Sequence, residues 1–332
     1  MTSMTVLRII SPGVLSLLQD QGRFGMGALG LTQGGPLDLH SFRWANALVA
    51  NPVNSTLIEH SVGGLTLQAV ANCVIAVTGA ELALTLNGKA VQCWQALALK
   101  AGDEIELGMC SRGLRAYLAV AGGIAAPAQF GSSATVMREG IGGLQQNGQK
   151  LTAGAELALA TKANSHINTN KAPVAAAIRQ RTLPGDTPLQ LRLIEGYQAT
   201  LFSTTARAQF YLHRYQVSPQ FDRMGYKLNG PAIRCSTSQL LSEGISYGAV
   251  QIPPDGQPIV LLNDRQTLGG YPKIGNVLSL DCWALAQASS GTQLNFSPIT
   301  AADAHNATHL ATARLKREYQ HYGISPTVLD TL

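Results

Sequence analysis

Short apolar runs that stop at glycine constrain this chain more than any other feature. Cys73-Val-Ile-Ala-Val-Thr78 stops at Gly79, and Leu82-Ala-Leu-Thr-Leu86 runs into Asn87-Gly88 before Lys89-Ala-Val-Gln-Cys-Trp94. Asn-Gly between two such runs predicts a hairpin, because both central residues accept positive φ. Gly102-Asp103 leads into Glu104-Ile-Glu-Leu107, and Leu114-Arg-Ala-Tyr-Leu-Ala-Val120 ends at Gly122-Gly123. With 34 glycines in 332 residues, turns of this kind recur along the chain. They predict a mainly β fold built as barrels or sandwiches.

Helical spacing is expected at two places. Leu39, Phe42, Ala45, Asn46 and Val49 share one face over residues 37–49, and Asn51-Pro52 closes the run. Residues 300–322 form a second helix, with Thr300 as its N-cap and Asp303 at the capping-box position. Residues 161–188 are polar, Pro-punctuated and without period, and are expected as a linker or surface excursion. They divide an N-terminal β-barrel lobe (1–160) from a C-terminal one (189–300), with a helical tail over 301–332. The lobes echo one another. Glu59-His-Ser-Val-Gly-Gly-Leu-Thr-Leu-Gln68 precedes one apolar strand, and Glu243-Gly-Ile-Ser-Tyr-Gly-Ala-Val-Gln251 precedes another. Internal duplication is the expectation.

Charged residues make up 13% of the chain and hydrophobic ones 45%, a globular and not a disordered composition. The net charge of +5 is spread thinly. Its densest stretch, Arg314-Leu-Lys-Arg317, meets Glu318 at once and reads as a solvated helix face, so no nucleic-acid partner is expected. The five cysteines show no C-x-x-C spacing, which argues against a disulfide framework or zinc site. The N-terminus lacks a charged segment followed by an apolar core, and the most apolar window, residues 69–86, contains Asn72, Thr78, Gly79 and Glu81. A cytoplasmic protein with no membrane span is expected.

Several motifs fail on context. Gly25-Met-Gly-Ala-Leu-Gly30 matches G-x-G-x-x-G, but no strand precedes it and no helix opens at it, so it is not a dinucleotide loop. No Walker-type phosphate loop occurs. His305 and His309 share a helix face without a third ligand, so no metal site is expected.

One stretch is too polar for a turn. Asp264-Arg-Gln-Thr-Leu-Gly-Gly-Tyr-Pro-Lys-Ile-Gly275 follows the apolar run Pro258-Ile-Val-Leu-Leu262. Turns require Gly, Asn or Pro, not a carboxylate, a guanidinium, an amide, a hydroxyl and an ammonium together. The cluster is either a satisfied ion-pair network or a binding site. Gln19-Asp-Gln-Gly-Arg23 and Phe221-Asp-Arg-Met-Gly-Tyr226 repeat its pattern of acid and arginine beside glycine. A single instance reads as a pair that locks a turn. Three instances favour anion binding, since arginine offers paired N–H donors to carboxylate or phosphate.

Taken together, Pro12-Gly13, Gln19 to Arg23, Gly34-Gly-Pro-Leu-Asp38, Ala45-Asn46, Glu59, Tyr117-Leu-Ala-Val-Ala-Gly-Gly123, Asp222-Arg-Met-Gly-Tyr226, Gln251-Ile-Pro253 and Asp264 to Lys273 resemble the family of 5-oxoprolinase C-subunits. Its members are also described as KipA-like, allophanate hydrolase subunit 2-like or biotin-dependent carboxyltransferase-like. The resemblance implies tandem cyclophilin-like β-barrels. It also implies an ATP-hydrolysing enzyme that opens 5-oxo-L-proline to L-glutamate, in a heteromeric complex with the 5-oxoprolinase A-subunit and its KipI-like B-subunit. ATP, with Mg, would be shared with that complex. A lactam is a stable amide, so its opening must be coupled to ATP, and phosphate on the amide oxygen is the expected activated form. The implied catalytic residues are Asp264, Arg265 and Lys273. Arg23, Asp222, Arg223, Gln251, Gln266, Thr267, Gly269, Gly270 and Tyr271 are the implied substrate-binding residues. Two other readings stay open. One is a carboxyltransferase acting on biotin, for which a separate carrier is needed because this chain has no Met-Lys-Met attachment sequence. The other is a KipA-like regulator that sequesters a kinase inhibitor without catalysis.

Overall fold

The computed structural model describes residues 4–164, 167–237 and 239–324. The chain forms two compact units. One is built from Met1–Phe24, Gly34–Leu183 and Arg314–Leu332, the other from Gly25–Gln33 and Pro184–Ala313. The fold is mainly β in both.

The first unit is a nine-stranded sheet. Its spine runs Leu15–Gln19, Leu57–Ser61, Glu104–Val120, Leu65–Ala69, Thr5–Pro12 and Glu156–Ala158. Strand Cys73–Leu86 lies along Glu104–Val120, and Lys89–Val91 and Ala96–Leu99 pair with it in turn. The Asn-Gly hairpin forms as expected: Leu86 pairs with Lys89, and Asn87 and Gly88 take φ of 52° and 74°. Gly79 does not end its strand as its sequence context suggests. Cys73–Leu86 runs through it, with a register shift between Gly79 and Glu81. A φ of 95° bends the strand there without ending it. The runs beginning at Glu104 and Leu114 likewise merge into the single strand Glu104–Val120, through Gly113 at φ 82°.

Alternation places Leu65, Leu67 and Ala69 in the core, between the half-buried Thr66 and Gln68. Leu7, Ile9, Ile75, Val77, Ile105, Leu107, Leu118 and Val120 join them. The expected early helix spans Leu39–Leu48, with Asp38 accepting a cap hydrogen bond from Ser41 N. Phe42, Ala45 and the adjoining Val49 pack on Tyr117 and Ala119, while Trp44 and Ala47 pack with Leu315 and Tyr319. Of residues 161–188, expected as a linker or excursion, 167–183 are anchored to this unit by the buried Val174 and Ile178 and by Thr182, whose hydroxyl donates to Asp38 at 2.8 Å.

The second unit contains a closed seven-stranded barrel. Its order is Leu189–Glu195, Lys273–Val277, Ala249–Gln251, Ile259–Leu261, Gly225–Asn229, Arg214–Phe221 and Gln293–Pro298. A parallel pairing of the last strand with the first closes it. A separate two-stranded sheet pairs Glu243–Gly244 with Leu268–Gly269. Helices Thr204–Leu212 and Ser279–Ala286 add to those the sequence predicts. The tail helix spans Ala301–His321, and Thr300 caps it: its hydroxyl accepts from Asp303 N at 3.1 Å and donates to Asp303 Oδ2 at 2.7 Å.

The echo between the lobes does not extend to strand pairing. Leu65–Ala69 bonds to Thr5–Pro12 and Glu104–Val120, whereas Ala249–Gln251 bonds to its own sequence neighbour, Ile259–Leu261. Among the described residues, no helix is long and apolar enough to cross a membrane.

Candidate functional site

Asp264 and Arg265 sit just beyond strand Ile259–Leu261, beside the turn that opens Gly225–Asn229. Backbone pairing brings Asp264 N to Arg223 O at 2.9 Å. The side chains then meet two-pronged: Arg223 Nε donates to Oδ2 at 2.9 Å and Nη2 to Oδ1 at 3.0 Å. They are 8% and 7% exposed, so this is a buried pair. Asp222 does something else. Its Oδ1 accepts from Met224 N and Gly225 N, at 2.7 and 3.2 Å, and shapes the turn.

Arg265 is pinned by carbonyls. Its Nε donates to Ile245 O at 3.0 Å and its Nη1 to Leu262 O at 3.1 Å, and the guanidinium stands 5.9 Å from the Tyr247 ring centroid. Burial pulls its pKa below the ordinary arginine value, and Tyr247, Cys282 and Asp264 oppose that pull. Gln266 and Thr267 are half-buried in the segment that follows, and Thr267 O accepts from Ile245 N at 2.9 Å. Gly270 is required by the chain's own packing, since a Cβ there would lie 2.6 Å from Leu240 O. Tyr271 is 42% exposed.

Lys273 carries the densest polar contacts. Its ammonium donates to Glu243 Oε1, while its backbone N donates to Gln198 Oε1 at 2.8 Å. Glu243 also accepts from Gln198 Nε2 at 2.6 Å and from the Tyr197 hydroxyl. Lys273, then Tyr197, hold the Glu243 carboxyl below its usual range, and Glu243 in turn raises the Tyr197 phenol. Gln251 lies opposite Lys273 on the neighbouring strand. The second unit thus brings together Asp222, Arg223, Gln251, Asp264, Arg265, Gln266, Thr267, Gly269, Gly270, Tyr271 and Lys273. Arg23 belongs to the first unit, where it is 2% exposed and donates to Gln129 O and Ser132 O at 3.1 and 3.2 Å.

Sequence reasoning does not pick out Glu243, Tyr197 or Gln198 as site residues. Glu243 stands in the lobe echo, but its bond to Lys273 spans thirty residues and no local spacing announces it.

Residues 29–298 match the carboxyltransferase domain, subdomain A and B. The chain is 36% identical to the 5-oxoprolinase C-subunit of Escherichia coli (strain K12), over 88% of this chain and 90% of that one. The chain belongs to the 5-oxoprolinase C-subunit family. The Haemophilus influenzae protein of the same name is 33% identical, over 92% of each. Among solved structures, the Kluyveromyces lactis urea carboxylase superposes with a TM-score of 0.82 at 26% identity. That match covers 98% of this chain but spans only 29% of the larger protein.

The geometry also bears on the nucleotide. Among the described residues, no group of three His, Cys, Asp or Glu stands ready to hold a metal ion. Arg223 and Lys273 are engaged by carboxylates and Arg265 by two carbonyls. These three cations are thus all engaged by the protein's own acceptors.

Proposed function

We propose that this chain is the C-subunit of an ATP-dependent 5-oxoprolinase that converts 5-oxo-L-proline to L-glutamate. It works with an A-subunit and a KipI-like B-subunit, and the nucleotide is held on a partner. One observation carries the reading: the 36% identity extends over nine-tenths of a chain named for that role. The polar cluster of the second unit supports it. An amide substrate needs donors for its carbonyl and an acceptor for its N–H, and the cluster offers Arg265, Lys273 and Gln251 beside Glu243.

A biotin-dependent carboxyltransferase is the second reading, favoured by the likeness to urea carboxylase. One experiment separates the two. The chain is purified with its cognate partner chains and supplied with 5-oxoproline and ATP, and glutamate and ADP are measured. Glutamate formed in step with ADP is expected. A complex that forms but releases no glutamate, while accepting a carboxyl group from carboxybiotin, would overturn the first reading in favour of the second.

A further inference from the structure

The side-chain Nε2 of Gln251 has no hydrogen-bond partner among the described residues, although the residue is only 1% exposed. A buried N–H without a protein partner calls for an explanation. Its surroundings supply one. Gln251 faces Lys273 across an antiparallel ladder, which puts both side chains on one face. A Cβ on Gly269 would lie 2.9 Å from Gln251 Nε2, so only glycine fits against the amide there. Gly269 pairs with Glu243 in the two-stranded sheet, and Glu243 holds the Lys273 ammonium. The Gln251 amide and the Lys273–Glu243 ion pair are therefore neighbours across the strand pairing.

We infer that Gln251, flanked by Lys273 and Glu243, recognises the edge of a small ring amide that presents C=O and N–H side by side. An open-chain secondary amide is trans and points these groups in opposite directions, whereas a small ring holds them cis. The side-chain amide of Gln251 is itself such an edge and can pair with it through two hydrogen bonds. The inference rests on the reading of an amide substrate above and assigns the residue that reads it. Lactam and cyclic urea share this chemistry, so 5-oxo-L-proline and the ureido ring of biotin are its two sources.

Calorimetric titration of the full chain with 5-oxo-L-proline, biotin and L-proline tests it. One ring amide should bind saturably and L-proline should not, since it lacks the ring carbonyl. Gln251→Leu should weaken that binding at least about tenfold, and Gln251→Glu, which keeps the shape but loses the donors, should do the same. The thermal midpoint of the Leu variant should hold or rise, because an unpaired buried amide has been removed. Binding of biotin alone, dependent on Gln251, would uphold the inference while turning the enzyme reading toward carboxyl transfer. Three results would overturn it: no binding of either ring, wild-type affinity in Gln251→Leu, or a clear drop in that variant's midpoint. The last would mean that the amide serves the fold through a trapped water.

Discussion

Arg223 and Asp264 show how a structure decides between two readings of one motif. The motif suggests either a locked turn or an anion site, and the structure closes Arg223 on Asp264 in a buried, two-pronged pair. Removing one partner of such a pair strands the other charge. Arg223→Met should cost about 3–5 kcal/mol of stability in denaturant unfolding, and a loss under about 1 kcal/mol would show the pair to be as weak as a surface one. His60 offers a second case. The Ser16 hydroxyl donates to Pro12 O at 2.7 Å, so at the 2.8 Å contact between Ser16 Oγ and His60 Nδ1 the imidazole carries the proton. Burial pushes the His60 pKa down to about 4. As pH falls below about 6.5 the unfolded imidazole takes up a proton that the folded one refuses until about 4. Stability is therefore full above that window and falls through it, by about 3 kcal/mol. His60→Gln should flatten this part of the pH–stability curve. An unchanged slope would place the acid sensitivity elsewhere.

At the level of elements, the sequence is legible where the determinant is local. Asn87-Gly88 fixes a hairpin because two adjacent residues set its turn. Thr300 with Asp303 marks a helix start because the cap spans three residues. The sequence misleads where one glycine has two uses. Gly79 looks like a terminator, but tertiary pairing with Glu104–Val120 carries the strand through it. A Cβ at Gly79 would lie 2.3 Å from Arg115 O, and the φ of 95° disfavours any other residue. Gly79→Ala should therefore lower stability by about 2 kcal/mol or more, while Gly88→Ala, with open space around its Cβ, should cost less. Equal losses in thermal melts would contradict the packing argument. Ser279–Ala286 is hidden for another reason: its eight residues are largely apolar, and short apolar runs do not distinguish helix from strand.

At the scale of the whole molecule, the site is legible as a set of residue types and not as a set of partners. The dense stretch from Asp264 to Lys273 announces itself, but Glu243, Tyr197 and Gln198 join Lys273 only through tertiary contacts. Those contacts also sort the cations. Arg223 and Lys273 are matched by carboxylates, whereas the Arg265 guanidinium is held by two neutral carbonyls. A positive charge fixed by rigid backbone acceptors is preorganised for a developing anion. Its contribution can be read only in the assembled enzyme, because the proposed reaction requires the partner chains. Arg265→Ala should abolish ATP-coupled glutamate release, a fall of about 10²-fold or more, with the complex still forming. Arg265→Lys should restore little, since an ammonium cannot span the Ile245 and Leu262 carbonyls as a planar fork does. The effect should fall on kcat more than on KM, since the charge matters most as negative charge develops. A folded, assembled Arg265→Ala enzyme with wild-type turnover would remove Arg265 from the chemistry and return its cluster to the status of a structural network.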